Sequence, residues 1–278
     1  MTNNINGKVV VITGAGGVLC GAMASHIALL GAKVALLDRD YASVATNAEA
    51  INKNGGKAKA YEVSVLDKEA LEKVRTEITK DWGKCDILIN GAGGNSPKAT
   101  TDKEYYNKGD LEGGVRTFFG LDKEGFDFVF DLNLMGTVIP SQVFVQDMLG
   151  RKGCSVLNIS SMNAFTPLTK IPAYSAAKSG VSNFTQWLAV HFASQGIRVN
   201  AIAPGFFVTK QNEALLYDQS GQPTPRAGKI LGATPMGRFG KGEELLGATV
   251  FLIDDSVSGF ITGVVLPVDG GFSAYSGV

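Results

Sequence analysis

Apolar and polar positions along this chain follow two periods in alternation. Lys8-Val9-Val10-Val11-Ile12-Thr13 is a short, β-branched, continuously apolar run, the pattern of a strand buried on both faces. After a glycine-rich turn, Leu19, Met23, Ile27 and Leu30 recur at helical spacing, and Gly31 closes the segment. A second apolar run over 33–37 ends in Asp38. Strand, crossover helix and strand make a parallel βαβ unit. The alternation predicts helices near 41–54, 67–80, 123–149, 172–195 and 242–254, with strands near 57–63, 86–90, 155–160, 197–203 and 263–268. Seven strands alternating with helices predict an α/β fold, a single-domain, doubly wound parallel sheet. No repeat, low-complexity tract or linker divides it. Two segments, 94–121 and 209–240, stand outside the alternation, each after the carboxyl end of a strand. Such sheets bind ligands at that edge, so the two are expected to supply a substrate lid and a pocket wall.

Composition narrows the classes. Hydrophobic residues at 45% and charged ones at 19% of 278 describe a globular chain able to bury a large core. With 26 basic and 26 acidic side chains and no basic stripe, a nucleic-acid or anionic-membrane surface is not expected. No apolar run approaches the ~18 residues a bilayer span requires. The polar start passes straight into a strand, unlike a signal peptide. Cys20, Cys85 and Cys154 are odd in number and widely spaced, as in a cytoplasmic protein with reduced thiols. With only His26 and His191 available, no metal site is expected. Glycine is the outlier, 35 residues, nearly double ordinary usage, so the positions of the glycines carry information.

Gly14, Gly16 and Gly17 lie between the first strand and its helix, where backbone N–H groups and the helix dipole attract a pyrophosphate. Asp38, at the end of the second strand, can accept hydrogen bonds from an adenosine ribose and repel a 2′-phosphate, which favours NAD over NADP. The neighbouring Arg39 would pull the other way by pairing with a 2′-phosphate. Further along, Tyr174-Ser175-Ala176-Ala177-Lys178 sets Tyr and Lys at i and i+4 on one helix face. An ammonium there stabilises a phenolate, lowering the tyrosine pKa toward general acid–base use. The strand ending Asn158-Ile159-Ser160-Ser161 brings a hydroxyl to the same sheet edge, and the turn Asn90-Gly91-Ala92-Gly93 lies there too.

These features together resemble the short-chain dehydrogenase/reductase family, from Lys8 to Asp269-Gly270-Gly271, and the resemblance implies its Rossmann fold. It further implies that Tyr174 is the catalytic acid/base and that Lys178 lowers its pKa and holds the nicotinamide ribose. Ser161 would polarise the substrate carbonyl, and Asn133 would anchor a water of the proton relay. Asn90, Gly91 and Ala92 match the family's N-N-A-G turn, with Gly91 in place of the second Asn. Pro204, Gly205, Phe207 and Thr209 match its P-G-x-x-x-T segment, which brackets the nicotinamide. Val18 and Cys20 stand where the family's T-G-x-x-x-G-x-G has glycines, leaving Gly17 for the close approach, with Leu19 beside it. Ser64, next to Val65, replaces the usual acidic residue near the adenine. The connection from Asn90 to Asn133 is unusually long.

The runs T-G-A-G-G-V-L-C, G-G-N-x-P-K-A-T-T and S-S-M-N-A-F-x-P-L-T-K, with the ending G-G-F-S-A-Y-S-G-V, resemble one subgroup of that family closely: the D-mannonate oxidoreductases, or fructuronate reductases, of hexuronate catabolism. A small sugar acid needs a cation and hydroxyl or amide partners. Asn95, Lys98, Asn163, Lys170 and Arg226 are candidates, with Thr100, Gln211 and Asn212 near them; Arg238 reads as structural. Phe118, Phe119, Phe165, Phe206 and Phe207 are expected to pack the lids. The nearest alternatives are a gluconate 5-dehydrogenase, a 3-oxoacyl-thioester reductase and a non-catalytic NAD sensor. The family habit implies a homotetramer. The apolar face Val181, Phe184, Leu188 and Phe192 would serve as core or interface, and the C-terminal end would pack on a neighbouring subunit.

Overall fold

The computed structural model describes residues 4–208 and 216–277. Seven parallel strands form one sheet in the order β3-β2-β1-β4-β5-β6-β7: β1 (Val9–Thr13), β2 (Lys33–Asp38), β3 (Lys57–Glu62), β4 (Ile87–Asn90), β5 (Ser155–Ile159), β6 (Arg198–Pro204) and β7 (Val265–Val268). The strands read as continuous apolar runs because both faces are covered. Along β1, Val10 and Ile12 enter one core with Met23 and Ile27, while Val9 and Val11 enter the other with Leu71 and Phe144. Helices α1 (Val18–Leu29) and α2 (Tyr41–Lys53) lie on the first face, and α3 (Lys68–Trp82) lies on the second. Asp40 and Asp67 cap α2 and α3 by accepting from Ser43 N and Ala70 N, which starts each helix where a carboxylate replaces a missing acceptor. The strand order reverses at β1, which pairs with both β2 and β4, so the crevice beyond their carboxyl ends is the place for a ligand.

The expected helix over 123–149 is interrupted. Helix α4 (Lys123–Phe130) widens into a π-turn at Asp131–Met135, resumes as α5 (Gly136–Phe144) and tightens at Val145–Met148. Hydrophobic periodicity cannot register one widened turn, and such turns cluster at functional sites. The stretch Lys123–Met148 is long and apolar enough to cross a membrane by length and composition. Half of its most apolar window is buried, and Val143, Phe144, Val145 and Met148 belong to the second core, so it is a core helix here.

Helix α6 (Pro172–Phe192) opens on a proline, whose missing N–H costs nothing in a first turn. The segment expected as an irregular wall contains α7 (Pro225–Gly232), capped by Thr224 and opened by Pro225. That Thr-Pro start was legible, but eight residues are too few for periodicity to declare. Helix α8 (Leu246–Ile253) covers the sheet near β5 and β6, and the short α9 (Asp255–Ser258) follows. The 94–121 segment is tied to itself: Asp102 and Arg116 exchange two hydrogen bonds, and buried Asp110 pairs with Lys103. Contrary to expectation, Phe118, Phe119 and Phe165 are exposed. Polar pairs fill the segment's interior, so Phe118 and Tyr106 are left to stack edge-on against Phe119.

Candidate active site

A cleft of about 640 Å³ opens at the reversal point, lined by Gly14, Gly16, Gly17, Val18, Leu19, Asp38, Arg39, Ser64, Val65, Gly91 and Ala92 among others. Gly14 takes a left-handed φ of 67°, and a Cβ there would meet the Ala92 backbone at 2.8 Å, so only glycine fits. Gly17 ends the turn where α1 begins. No side chain caps α1 and no acidic residue lies in its first turn, which leaves the helix N-terminus open to an anion from the cleft. The Asp38 carboxylate accepts from Gly16 N and Asp40 N, both at 3.1 Å, and is thereby fixed at the cleft wall. These residues fit a dinucleotide: uncapped amides for phosphates and an oriented carboxylate for a ribose.

Two departures from the family pattern meet physically. A Cβ on Gly91 would overlap the Cys20 sulfur, so the thiol fills the space that Gly91 vacates. Burial pushes the Cys20 thiol up to about 12, and it is a neutral packing group. Thr13, which sequence reading did not single out, accepts from Gly91 N and Ala92 N at 3.1 and 3.4 Å and ties this turn to β1.

Tyr174 and Lys178 share one face of α6, with the Lys178 ammonium 5.7 Å from the tyrosine ring centre. Ala173 and Ala177 pack against Ala99 and Val129, which seats this end of the helix on α4. Ser161 caps the short turn Met162–Ala164 and accepts from Asn163 N at 3.2 Å, and its hydroxyl acts to lower the Tyr174 pKa. Buried Lys178 donates to the Ile159 carbonyl at 2.8 Å, and burial draws its pKa down to about 8. The tyrosine corrects the sequence expectation. Its pKa is raised, because burial outweighs the lowering effect of the Ser161 hydroxyl.

The π-turn points Asn133 at this group. Its amide donates to the carbonyls of Gly94 and Val129, both at 2.7 Å, and accepts from Gly94 N. A Cβ on Gly93 would lie 2.7 Å from Asn133 Oδ1 and 3.2 Å from Lys178 Nζ, so the bare turn lets these groups converge. Below them runs a buried polar chain. Thr137 Oγ1 donates to the Asn133 carbonyl, Ser141 Oγ to the Thr137 carbonyl, and Asn90 Nδ2 to both Ser141 Oγ and Asn158 Oδ1, while Asn158 donates to Thr185. Asn90 is therefore part of this floor and its side chain does not reach the cleft. Asn158 was the missed signal, an amide in an apolar strand that pairs in register with Asn90.

Pro204, Gly205 and Phe207 also lie away from the main cleft. Gly205 is bare because a Cβ would meet Asp269 at 2.7 Å, and Phe207 is buried against Gly240. With Phe206, Phe207 lines a smaller cavity of about 220 Å³ at the ends of β6 and β7. Arg238, at its rim, grips Glu244 with two bonds of 2.7 Å ahead of α8, in keeping with a structural part. Thr209, Gln211 and Asn212 fall outside the described residues. Of the substrate candidates, Asn95 bonds to Thr100, and Lys98 is turned to Glu124 at 2.8 Å on the exposed surface. Asn163 is buried with its Oδ1 lacking a hydrogen-bond donor. Lys170 has a φ of 72°, the one left-handed non-glycine among the described residues, and Arg226 stands exposed on α7.

The family description that matches is short chain dehydrogenase, over residues 8–220. An uncharacterized oxidoreductase of Haemophilus influenzae is 61% identical, the match covering 99% of this chain and 96% of the relative. UxuB of Bacillus subtilis, also an uncharacterized oxidoreductase, is 51% identical over 99% of this chain and 98% of its own. A crystal structure of a Haemophilus influenzae protein, provisionally named a D-mannonate oxidoreductase and holding bound NAD, superposes with a TM-score of 0.96 at 61% identity, covering 99% of this chain and 98% of that one.

Proposed function

Because the chain belongs to the short chain dehydrogenase family, we propose that it is an NAD-dependent oxidoreductase interconverting D-fructuronate and D-mannonate at the C5 carbonyl. The observation that carries the chemistry is the convergence of Ser161, Tyr174, Lys178 and Asn133 beside a nucleotide-sized cleft. Kinship with the NAD-bound Haemophilus protein supports both the substrate and the cofactor, and the Asp38 carboxylate in the cleft favours NAD over NADP.

Reduced NAD, when bound, supplies a hydride to the carbonyl carbon. Ser161 holds the carbonyl oxygen, and the Tyr174 hydroxyl gives it a proton as negative charge develops there. Tyr174 holds that proton at neutral pH, and burial raises its pKa further, so the free site carries the acid that reduction requires. The Lys178 ammonium stabilises the tyrosinate left behind. With a water held at Asn133, Lys178 restores the proton, and the same steps reversed oxidise mannonate.

The test is NADH and NADPH oxidation with D-fructuronate, 5-keto-D-gluconate and D-tagaturonate in parallel. NADH turnover with fructuronate is expected to dominate. Tyr174→Phe should lower it by roughly a thousandfold, within the range of a lost general acid. Turnover with 5-keto-D-gluconate alone would move the substrate to the gluconate 5-dehydrogenase class. Silence with all three acids would sink the proposal.

A further inference from the structure

Three separate segments bring charged groups to the start of α6, and their charges do not cancel. Both carboxylate oxygens of Glu104, in the 94–121 segment, are taken by Lys229 of α7, at 2.8 and 2.9 Å. Lys170, in the loop before α6 and tied by its carbonyl to Thr101, and Arg226, one helical turn before Lys229, carry charges that help hold this carboxylate below its usual range. Neither makes an ion pair or a side-chain hydrogen bond among the described residues. Of the other cations of the 94–121 segment, Lys98 is spent on Glu124, Lys103 on Asp110 and Arg116 on the Pro97 carbonyl, while the exposed Lys108 makes no ion pair or side-chain hydrogen bond among the described residues. Lys229 thus takes the Glu104 carboxylate, and Lys170 and Arg226 are left without an ion-pair partner among the described residues. The positive end of the α6 dipole adds to them.

The backbone holds this arrangement in place. Lys170 keeps its left-handed conformation, costly for a residue with a Cβ, while its carbonyl accepts from Thr101 N at 2.9 Å. Lys170 lies in the loop that leads into α6 at Pro172, shortly before Tyr174. Asn163 is an independent sign. Its buried Oδ1 is an acceptor without a donor, two residues beyond Ser161, as a site awaiting a substrate hydroxyl would leave it.

We infer that Lys170 and Arg226 form the subsite for the carboxylate of a polyhydroxy keto acid, with Asn163 accepting one of its hydroxyls and Glu104 holding Lys229 aside. This rests on the reading of the site as one that reduces a sugar acid. Arg226 offers a planar fork and Lys170 a point charge, so the carboxylate is oriented as well as attracted.

Steady-state kinetics of Lys170→Gly and Arg226→Gln test it, since glycine keeps the left-handed backbone at ease. Each substitution is expected to raise KM for the keto acid roughly ten- to hundredfold, the loss of one charge-assisted bond, with a much smaller change in kcat. Arg226→Lys should recover part of the loss. Raising ionic strength from about 0.05 to 0.5 M should raise the wild-type KM severalfold and the double variant's hardly at all, because salt screens only a charge that is present. Glu104→Gln should lower KM by freeing Lys229. KM changes under twofold, or an unchanged salt response in the double variant, would overturn the subsite while leaving fructuronate turnover intact. If tagaturonate or 5-ketogluconate replaces fructuronate as substrate and shows the same KM losses, the substrate assignment fails and the subsite stands. Turnover of none of the acids overturns both.

Discussion

Lys178 shows what placing a charge in this site costs. Its ammonium is buried, and Ile159 is the carbonyl it donates to at 2.8 Å. Desolvation draws its pKa from 10.5 to about 8. The unfolded chain therefore binds this proton more tightly than the folded one. Below pH 8 both states are charged and the burial cost is felt in full. Between pH 8 and 10.5 the folded state has shed the proton while the unfolded state still carries it, so stability rises with pH across that window. Lys178→Met should abolish turnover and stabilise the chain below pH 8 by a few kcal/mol, about 1.4 per pKa unit. The orphaned Ile159 carbonyl offsets part of that gain. The advantage should shrink by pH 10.5. Parallel urea-unfolding curves for both proteins at pH 7, 9 and 10.5 would show it, and a constant difference would refute it. The identity of this lysine was legible from its spacing to Tyr174. The upward shift of the tyrosine was not, because spacing says which groups are neighbours and burial decides which charge state is favoured.

Secondary elements were legible in proportion to their length and to how fully they are buried. β1 and α1 announce themselves, since both faces of one and one stripe of the other are apolar. The π-turn at Asp131–Met135 and the eight-residue α7 are too short to leave a period, yet one carries Asn133 and the other Arg226. Contacts between elements were less legible still. Val18 and Cys20 in place of glycines, and Gly91 in place of asparagine, looked like separate departures, whereas the fold joins the last two across the gap between α1 and the turn after β4. Gly91→Asn alone should therefore push the turn off Thr13 and raise the KM for NADH by tenfold or more. Cys20→Gly alone should leave a small cavity at a cost on the order of 1 kcal/mol. The double variant should recover most of the NADH affinity. Fluorescence titration of NADH with the four proteins measures this coupling, and additive losses would mean that the two positions do not share the space.

At the scale of the whole molecule, the outer edge beyond β6 leaves apolar strand residues only partly covered. Strands β1, β4 and β6 are buried along their whole length, whereas Val265, Leu266 and Val268 of β7 are only half-buried, and β7 is an edge strand. Phe251 of α8, Val257 and the fully exposed Phe260 are further exposed apolar side chains. An uncovered strand edge flanked by aromatics invites pairing with a second copy. Helix α6 carries another such surface. Val181, Phe184, Leu188 and Phe192 go to the core, while Trp187 and Val190 face outward, with Trp187 stacked between Phe184 and His191. The C-terminal end, expected to pack on a neighbouring subunit, starts from a contact within its own protomer. Its turn Phe272–Ala274 lies against the Met162–Ala164 turn of the same protomer, and Phe272 packs edge-on to Phe206. Pairing of each face with its own copy would build a tetramer of closed symmetry, which we propose as the assembly. Light scattering should then give about four times the 29.2 kDa chain mass. Phe251→Asp with Phe260→Asp should leave dimers that still unfold cooperatively, because neither side chain is part of the core. Adding Trp187→Glu and Val190→Glu should leave monomers. A mass that stays fourfold through both steps would place the interfaces elsewhere, and a wild-type monomer would mean that these apolar faces are not used for self-association.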